Sequence, residues 1–195
     1  GIDIIIESVT KYIAGHSDVI AGAVMTTAER LGPVLDNRIV FGGSLSPHDA
    51  FLIDRSLKTL AARMAAHNEA GMQIAQFFAD DPRVKAVYYP GLPGTEDHAI
   101  ASQQMSGYGG MMAIELADLD AAKRFCDSLE VGLNAVSLGS VETLVTIPVL
   151  TTHAKVNDEE RETARIRPGT IRISVGLENI EDLIADFKGA LSRSG

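Results

Sequence analysis

Four isoleucines crowd residues 2–6 (Ile-Asp-Ile-Ile-Ile), and this run limits the folds open to the chain more than any other stretch. It is too short for a stable helix and is rich in β-branched residues without polar alternation. It therefore reads as a strand buried on both faces, as in a parallel sheet covered by helices. A second strand is expected over 18–25, less sharply because Ala and Gly dilute the pattern. Between the two lies Glu7-Ser8-Val9-Thr10-Lys11-Tyr12-Ile13-Ala14-Gly15-His16-Ser17-Asp18. Open α/β sheets present ligand-facing side chains just beyond the carboxyl end of a strand, which is where Lys11 falls.

The rest of the chain alternates helical and extended patterns. Ser46-Pro47 opens a helix, with Ser as N-cap, Pro at the first helical position and Asp49 near the positive end of the dipole. Apolar residues at helical spacing carry that pattern from Ile53 to Phe78, so one long helix is expected as far as Asp81-Pro82. A helix of that length is a common link between layers, and a domain boundary is expected near Thr59, giving domains 1–58 and 59–195. Strands are expected over 84–88, 111–116 and 170–175, and helices over 97–105, 120–129 and from Asn179 onward. The second part is then helices packed on a small sheet, an α+β arrangement.

Composition narrows the partners. With 195 residues, 46% hydrophobic and 22% charged, the chain has the make-up of a globular protein. A net charge of −9 argues against nucleic acid or an anionic membrane as its main partner. No apolar run approaches the roughly 20 residues of a membrane helix. One cysteine, Cys126, excludes an intrachain disulfide and makes a cytoplasmic setting the default. The histidines and carboxylates lack metal-ligand spacing, so no metal site is expected.

Several residues can carry chemistry, and each has a plainer reading beside it. Lys11 with the hydroxyls of Ser8 and Thr10 makes up the parts of a pyridoxal phosphate site, an amine beside groups that can bind phosphate. Alternatively, Lys11 is a surface lysine and the hydroxyls bond the local backbone. His16 and Asp18 form either an acid/base pair or a hydrogen-bonded turn. Ser137-Leu138-Gly139-Ser140 is a small-residue loop whose backbone amides can meet an anion, or an ordinary turn. Arg172 stands at mid-strand between Thr170 and Ser174, where a guanidinium can grip a carboxylate bidentately or face solvent. Cys126 reads as a small core residue, since no basic neighbour is placed to lower its pKa.

The string from Ser8 to Gly22 closely resembles the cofactor-lysine segment of the Cys/Met-metabolism pyridoxal phosphate enzymes, the family of cystathionine γ-synthase, the cystathionine lyases and methionine γ-lyase. The likeness continues through Arg55-Ser56-Leu57-Lys58-Thr59-Leu60, Tyr89-Pro90-Gly91-Leu92, Ser137-Leu138-Gly139-Ser140-Val141-Glu142-Thr143-Leu144, Thr152-His153-Ala154 and Arg172-Ile173-Ser174-Val175-Gly176-Leu177-Glu178.

The resemblance implies an α/β fold: the C-terminal part of a fold-type I pyridoxal-phosphate-dependent large domain, followed by a smaller α+β C-terminal domain. It implies pyridoxal 5'-phosphate as cofactor, Lys11 as the Schiff-base lysine, and Ser8 and Thr10 as phosphate ligands. It implies that Arg172 grips the substrate carboxylate, aided by Ser137, with Thr152 near that pocket. Val136 stands where cystathionine γ-lyases often carry Glu and methionine γ-lyases a small apolar residue, which leans toward a methionine γ-lyase-like pocket. Ser56 and Ser140 depart from positions where the family favours Gly, or Gly or Asp. The expected activity is a C–S lyase of trans-sulfuration or methionine metabolism, with γ-replacement as the alternative. A non-catalytic binding fragment is the alternative of another class. Family chains are considerably longer, so the lysine is expected to need an N-terminal half, in a homo-oligomer, expected to be a tetramer.

Overall fold

The computed structural model describes residues 1–195, apart from the side chain of Glu96. The chain divides into two compact units, Gly1–Ala61 and Ala62–Gly195.

In the first unit the strands β1 (Ile4–Ser8) and β2 (Gly22–Thr26) form a two-stranded antiparallel ribbon, with Ser8 opposite Gly22. This corrects the expectation of a strand buried in a parallel sheet. Every residue of β1 is exposed, Ile6 at 77%. Apolarity alone cannot tell a strand that is covered from one whose cover is not provided by the chain itself. Thr10 ties the ribbon's end to β2: its hydroxyl donates to the Ala21 carbonyl at 3.2 Å and accepts from the Ala21 amide at 3.0 Å. Helix α1 (Ala28–Phe41) follows, with Pro33 inside it and Gly42 closing it at φ 77°. Helix α2 (Pro47–Leu57) begins as expected, with Ser46 Oγ accepting from the Asp49 amide at 3.0 Å.

The expected long helix is two helices, α2 and α3 (Leu60–Ala79). The break lies at Lys58-Thr59. There the Thr59 amide and hydroxyl both donate to the Ser56 carbonyl, each at 3.1 Å, which tightens the chain into a turn. A threonine hydroxyl that captures a backbone carbonyl offers the chain an alternative to the helical ladder.

The second unit is a five-stranded sheet in the order β3-β4-β7-β6-β5. Its strands are β3 (Ala86–Tyr88), β4 (Met111–Glu115), β5 (Leu133–Asn134), β6 (Leu144–Thr146) and β7 (Thr170–Ser174). All pairs are antiparallel except β5 with β6. Helices α4 (Glu96–Gln104), α5 (Leu119–Asp127), α6 (Asp158–Thr163) and α7 (Ile180–Ser194) complete it. Four caps are made by side chains: Thr95, Asp118, Asn157 and Asn179 each accept from amides of the first turn.

The core of this unit lies between sheet and helices. Ile114, Ile171, Ile173, Leu183 and Phe187 are fully buried there. Phe78, Phe125 and Phe187 meet with ring centroids 5.1 to 6.3 Å apart, joining α3, α5 and α7. Among the described residues no helix is long and apolar enough to cross a membrane.

Candidate functional site

Lys11 follows β1 inside a wide helical turn, Val9–Ile13, in which the Ala14 amide reaches the Val9 carbonyl at 2.8 Å. Its own backbone leaves the helical range (φ −89°, ψ −130°), so the turn changes direction at the lysine. Lys11 is half-buried, while Val9 and Ala14 on either side are buried. Gly15 at φ 71° and Ser17 at φ 58° then fold the chain back toward β2.

Ser8, the last residue of β1, is exposed beside this turn. An amine and a hydroxyl at one strand end suit a cofactor that presents an aldehyde and a phosphate. Thr10 serves the turn first, because its hydroxyl hydrogen is committed to Ala21. The donor set fits pyridoxal phosphate through Lys11 and Ser8, with Thr10 shaping the segment that carries them.

His16 and Asp18 lie in a cleft of about 300 Å³ lined also by Leu52, Arg55, Ser56 and Thr59. His16 Nδ1 stands 2.6 Å from the Ala14 carbonyl and 3.3 Å from Ser56 Oγ. These bonds match the reading of a hydrogen-bonded turn. They also give Ser56 a task that glycine could not perform.

Arg172 sits at the centre of the second unit's sheet. On β7 it pairs with Ala113 of β4 on one side and Thr146 of β6 on the other. The alternation of β7 places Ile171 and Ile173 in the core, but the opposite face is not open to water. Thr170 is 3% and Ser174 1% exposed, and Arg172 itself is half-buried. Burial pulls the Arg172 pKa down from its ordinary value. Arg172 Nη2 donates to the Ser137 carbonyl at 3.0 Å.

Ser137 holds φ at 93°, a conformation that L side chains adopt at a cost of about 1–3 kcal/mol. The loop around it is pinned. The Gly139 amide donates to Ser174 Oγ at 2.8 Å, and Ser140 Oγ donates to Glu142 Oε2 at 2.6 Å. The Thr143 amide donates to Glu178 Oε1 at 2.6 Å, and the Thr143 hydroxyl to Glu178 Oε2 at 2.7 Å. Arg172 and Ser137 are thus brought together. Val136, immediately before Ser137, is 51% exposed. Thr152 is exposed, with Oγ1 2.8 Å from His153 Nδ1; Thr151, not Thr152, reaches Thr146, at 3.0 Å.

The strings that hold Ser137 and Arg172 also contain Thr143, Ser174 and Glu178, whose part as a latch shows only in three dimensions. Their signal in the sequence was membership of those strings; no spacing rule links residues 35 positions apart. The donor set therefore falls in two groups: an amine with a hydroxyl in the first unit, and a half-buried guanidinium on β7 bonded to a pinned loop in the second.

The model of the Cys/Met metabolism PLP-dependent enzyme family matches residues 1–192. A cystathionine beta-lyase of Lactococcus lactis subsp. cremoris is 46% identical over 99% of this chain and 51% of its own length. An L-methionine gamma-lyase of Fusobacterium nucleatum subsp. polymorphum is 42% identical over 99% of this chain and 50% of its own. Among solved structures, a cystathionine gamma synthase from Xanthomonas oryzae pv. oryzae superposes with a TM-score of 0.95 at 41% identity, covering all of this chain and 51% of that one. The chain spans about half the length of the curated relatives it matches.

Proposed function

From the premise that this chain belongs to the Cys/Met metabolism PLP-dependent enzyme family, we propose that it forms the Lys11-bearing part of a carbon–sulfur lyase acting on sulfur amino acids. The observation that carries this reading is the Arg172–Ser137 pair, a half-buried guanidinium bonded to the carbonyl of a residue at positive φ. One of its five N–H donors is spent on Ser137. The planar fork can present the others to a carboxylate from a rigid strand.

Pyridoxal phosphate, when bound, supplies an electron sink for carbanions at the substrate's Cα. In this reading Lys11 holds it through Nζ, and Ser8 Oγ contributes to its phosphate. Arg172 orients the substrate by its α-carboxylate. With the cofactor bound, Lys11 Nζ would move protons at the substrate's Cα and Cβ, so that the Cγ–S bond breaks and the sulfur leaves as a thiol carrying one of those protons. In this reading Val136 lines the side-chain end of the pocket, which favours methionine γ-lyase-like over cystathionine γ-lyase-like elimination. Thr152 borders the same pocket. The active enzyme includes the half of its relatives' length that this chain does not span, in a cytoplasmic homo-oligomer, a tetramer.

Turnover of a panel of methionine, cystathionine, homocysteine and O-acetylhomoserine tests this. Release of a thiol and a 2-oxo acid from methionine or cystathionine, without added nucleophile, is the expected result. Turnover of O-acetylhomoserine alone, dependent on an added thiol, would instead establish γ-replacement, as in a cystathionine γ-synthase or sulfhydrylase.

A further inference from the structure

The loop that carries Ser137 runs from β5 to β6, and its backbone does not hold its shape alone. The strain at Ser137 has to be offset by bonds elsewhere in the loop. Those bonds converge on Thr143, which is fully buried. Its hydroxyl donates to Glu178 Oε2 at 2.7 Å and accepts from the Gly176 amide at 2.8 Å. Its amide donates to Glu178 Oε1 at 2.6 Å, and its carbonyl accepts from the Leu133 amide at 2.9 Å. The Leu177 amide adds a bond to the Val141 carbonyl at 2.7 Å. The loop is therefore fastened to the segment that continues directly from β7, the strand that bears Arg172.

Two properties single out Glu178 within this latch. It contributes a carboxylate that takes two hydrogen bonds from one residue, and charge-assisted bonds of this kind are about twice as strong as neutral ones. It also works where nothing larger than glycine fits beside it: a Cβ at Gly176 would overlap the Val141 carbonyl and the Glu178 carboxylate. The latch thus has one geometry, and that geometry sets the height of the loop above β7.

We propose that Glu178, acting through Thr143, is a positioning residue for substrate carboxylate binding: it fixes the loop over 137–143 so that the Ser137 carbonyl holds the Arg172 guanidinium in its gripping orientation. The Glu178 carboxylate is engaged by the Thr143 amide and hydroxyl, so its action on substrate is assigned through that residue. The inference rests on the reading of Arg172 as the carboxylate grip.

The test is made in the active holoenzyme with R172A, E178A, E178Q, T143V and T143S. R172A is the reference, expected to raise KM strongly. E178A and T143V are expected to raise KM for the amino acid by roughly tenfold, with kcat within about threefold of wild type. Their cofactor absorbance should be unaltered, and amide exchange should be faster at Gly139 and Thr143. E178Q keeps an acceptor for the Thr143 amide and T143S keeps the hydroxyl, so both should recover most of the affinity. If R172A raises KM and E178A does not, the inference is overturned while the grip stands. If R172A itself leaves KM unchanged, the grip reading fails and takes this inference with it. If E178A does not fold, T143V against T143S decides: equal KM values in the two overturn the proposal.

Discussion

His67 on α3 is fully buried, and its Nδ1 lies 2.9 Å from the carbonyl oxygen of Val175, the buried residue that follows β7. Burial is the largest influence on this imidazole and pulls its pKa below the ordinary 6.5. The Val175 carbonyl and the Glu178 charge push the other way, and the Arg63 charge reinforces burial. A histidine with a depressed folded pKa stays neutral while the unfolded chain takes up a proton. Its contribution is therefore intact above about pH 6.5 and is lost as pH falls below it toward the folded value. Thermal melting between pH 7.5 and 5.5 should show Tm falling in the wild type and falling less in H67Q.

The acid limb has a second origin. Asp81 accepts from Arg83 Nη2 at 2.6 Å, Arg83 Nε at 2.8 Å and the Arg83 amide at 3.0 Å. These side-chain bonds, ahead of the opposing effect of burial, hold its carboxyl below the usual 3.8. The stabilisation is present above that value and is lost as pH falls through the lower folded one. Arg83 also donates to Ser192 Oγ of α7 at 3.0 Å, so protonating Asp81 loosens the end of the last helix. D81N should remove the steepest part of unfolding below about pH 4 while leaving the decline between pH 7.5 and 5.5 in place.

Asp186 gives the largest expected stability effect. Its carboxylate accepts from three consecutive amides, Glu130 at 2.8 Å, Val131 at 3.0 Å and Gly132 at 2.9 Å, while itself only 8% exposed. D186A strands those donors and should cost about 3 kcal/mol. That is a fall in Tm on the order of 10 °C in a chain of this size. D186N keeps an acceptor and should lose roughly half as much.

Cys126 is 3% exposed on α5, and burial, with Asp127 adding to it, pushes its thiol up to about 12. A thiol reagent at pH 8 should leave the folded protein unmodified. Labelling should begin only with global unfolding, so the modification rate should follow the denaturation curve.

What the sequence made legible was local. Ser46 and Asn179 head their helices because a short polar side chain before an apolar periodic stretch has one obvious use. The strand at β7 was visible through its alternation. Helix α1 escaped notice because Gly32-Pro33 inside it is a breaker pair, and a proline removes the amide that would complete the ladder. The break at Thr59 escaped because helical spacing persists through a turn that a single hydroxyl creates. At the candidate site, residue types announced Lys11 and Arg172. The positive φ of Ser137 and the reach of Glu178 to Thr143 are properties of the assembled sheet and have no periodic signature.

The first unit buries little of its own. Among the described residues its apolar cluster consists of Val9, Ala14 and Val19, while Ile6, Ile39, Val40 and Phe41 are each at least 75% exposed. The second unit has the broad core under β7. Within this chain it is the later segment that can condense by itself. The lysine therefore stands beside a ribbon prone to strand addition until that ribbon is covered.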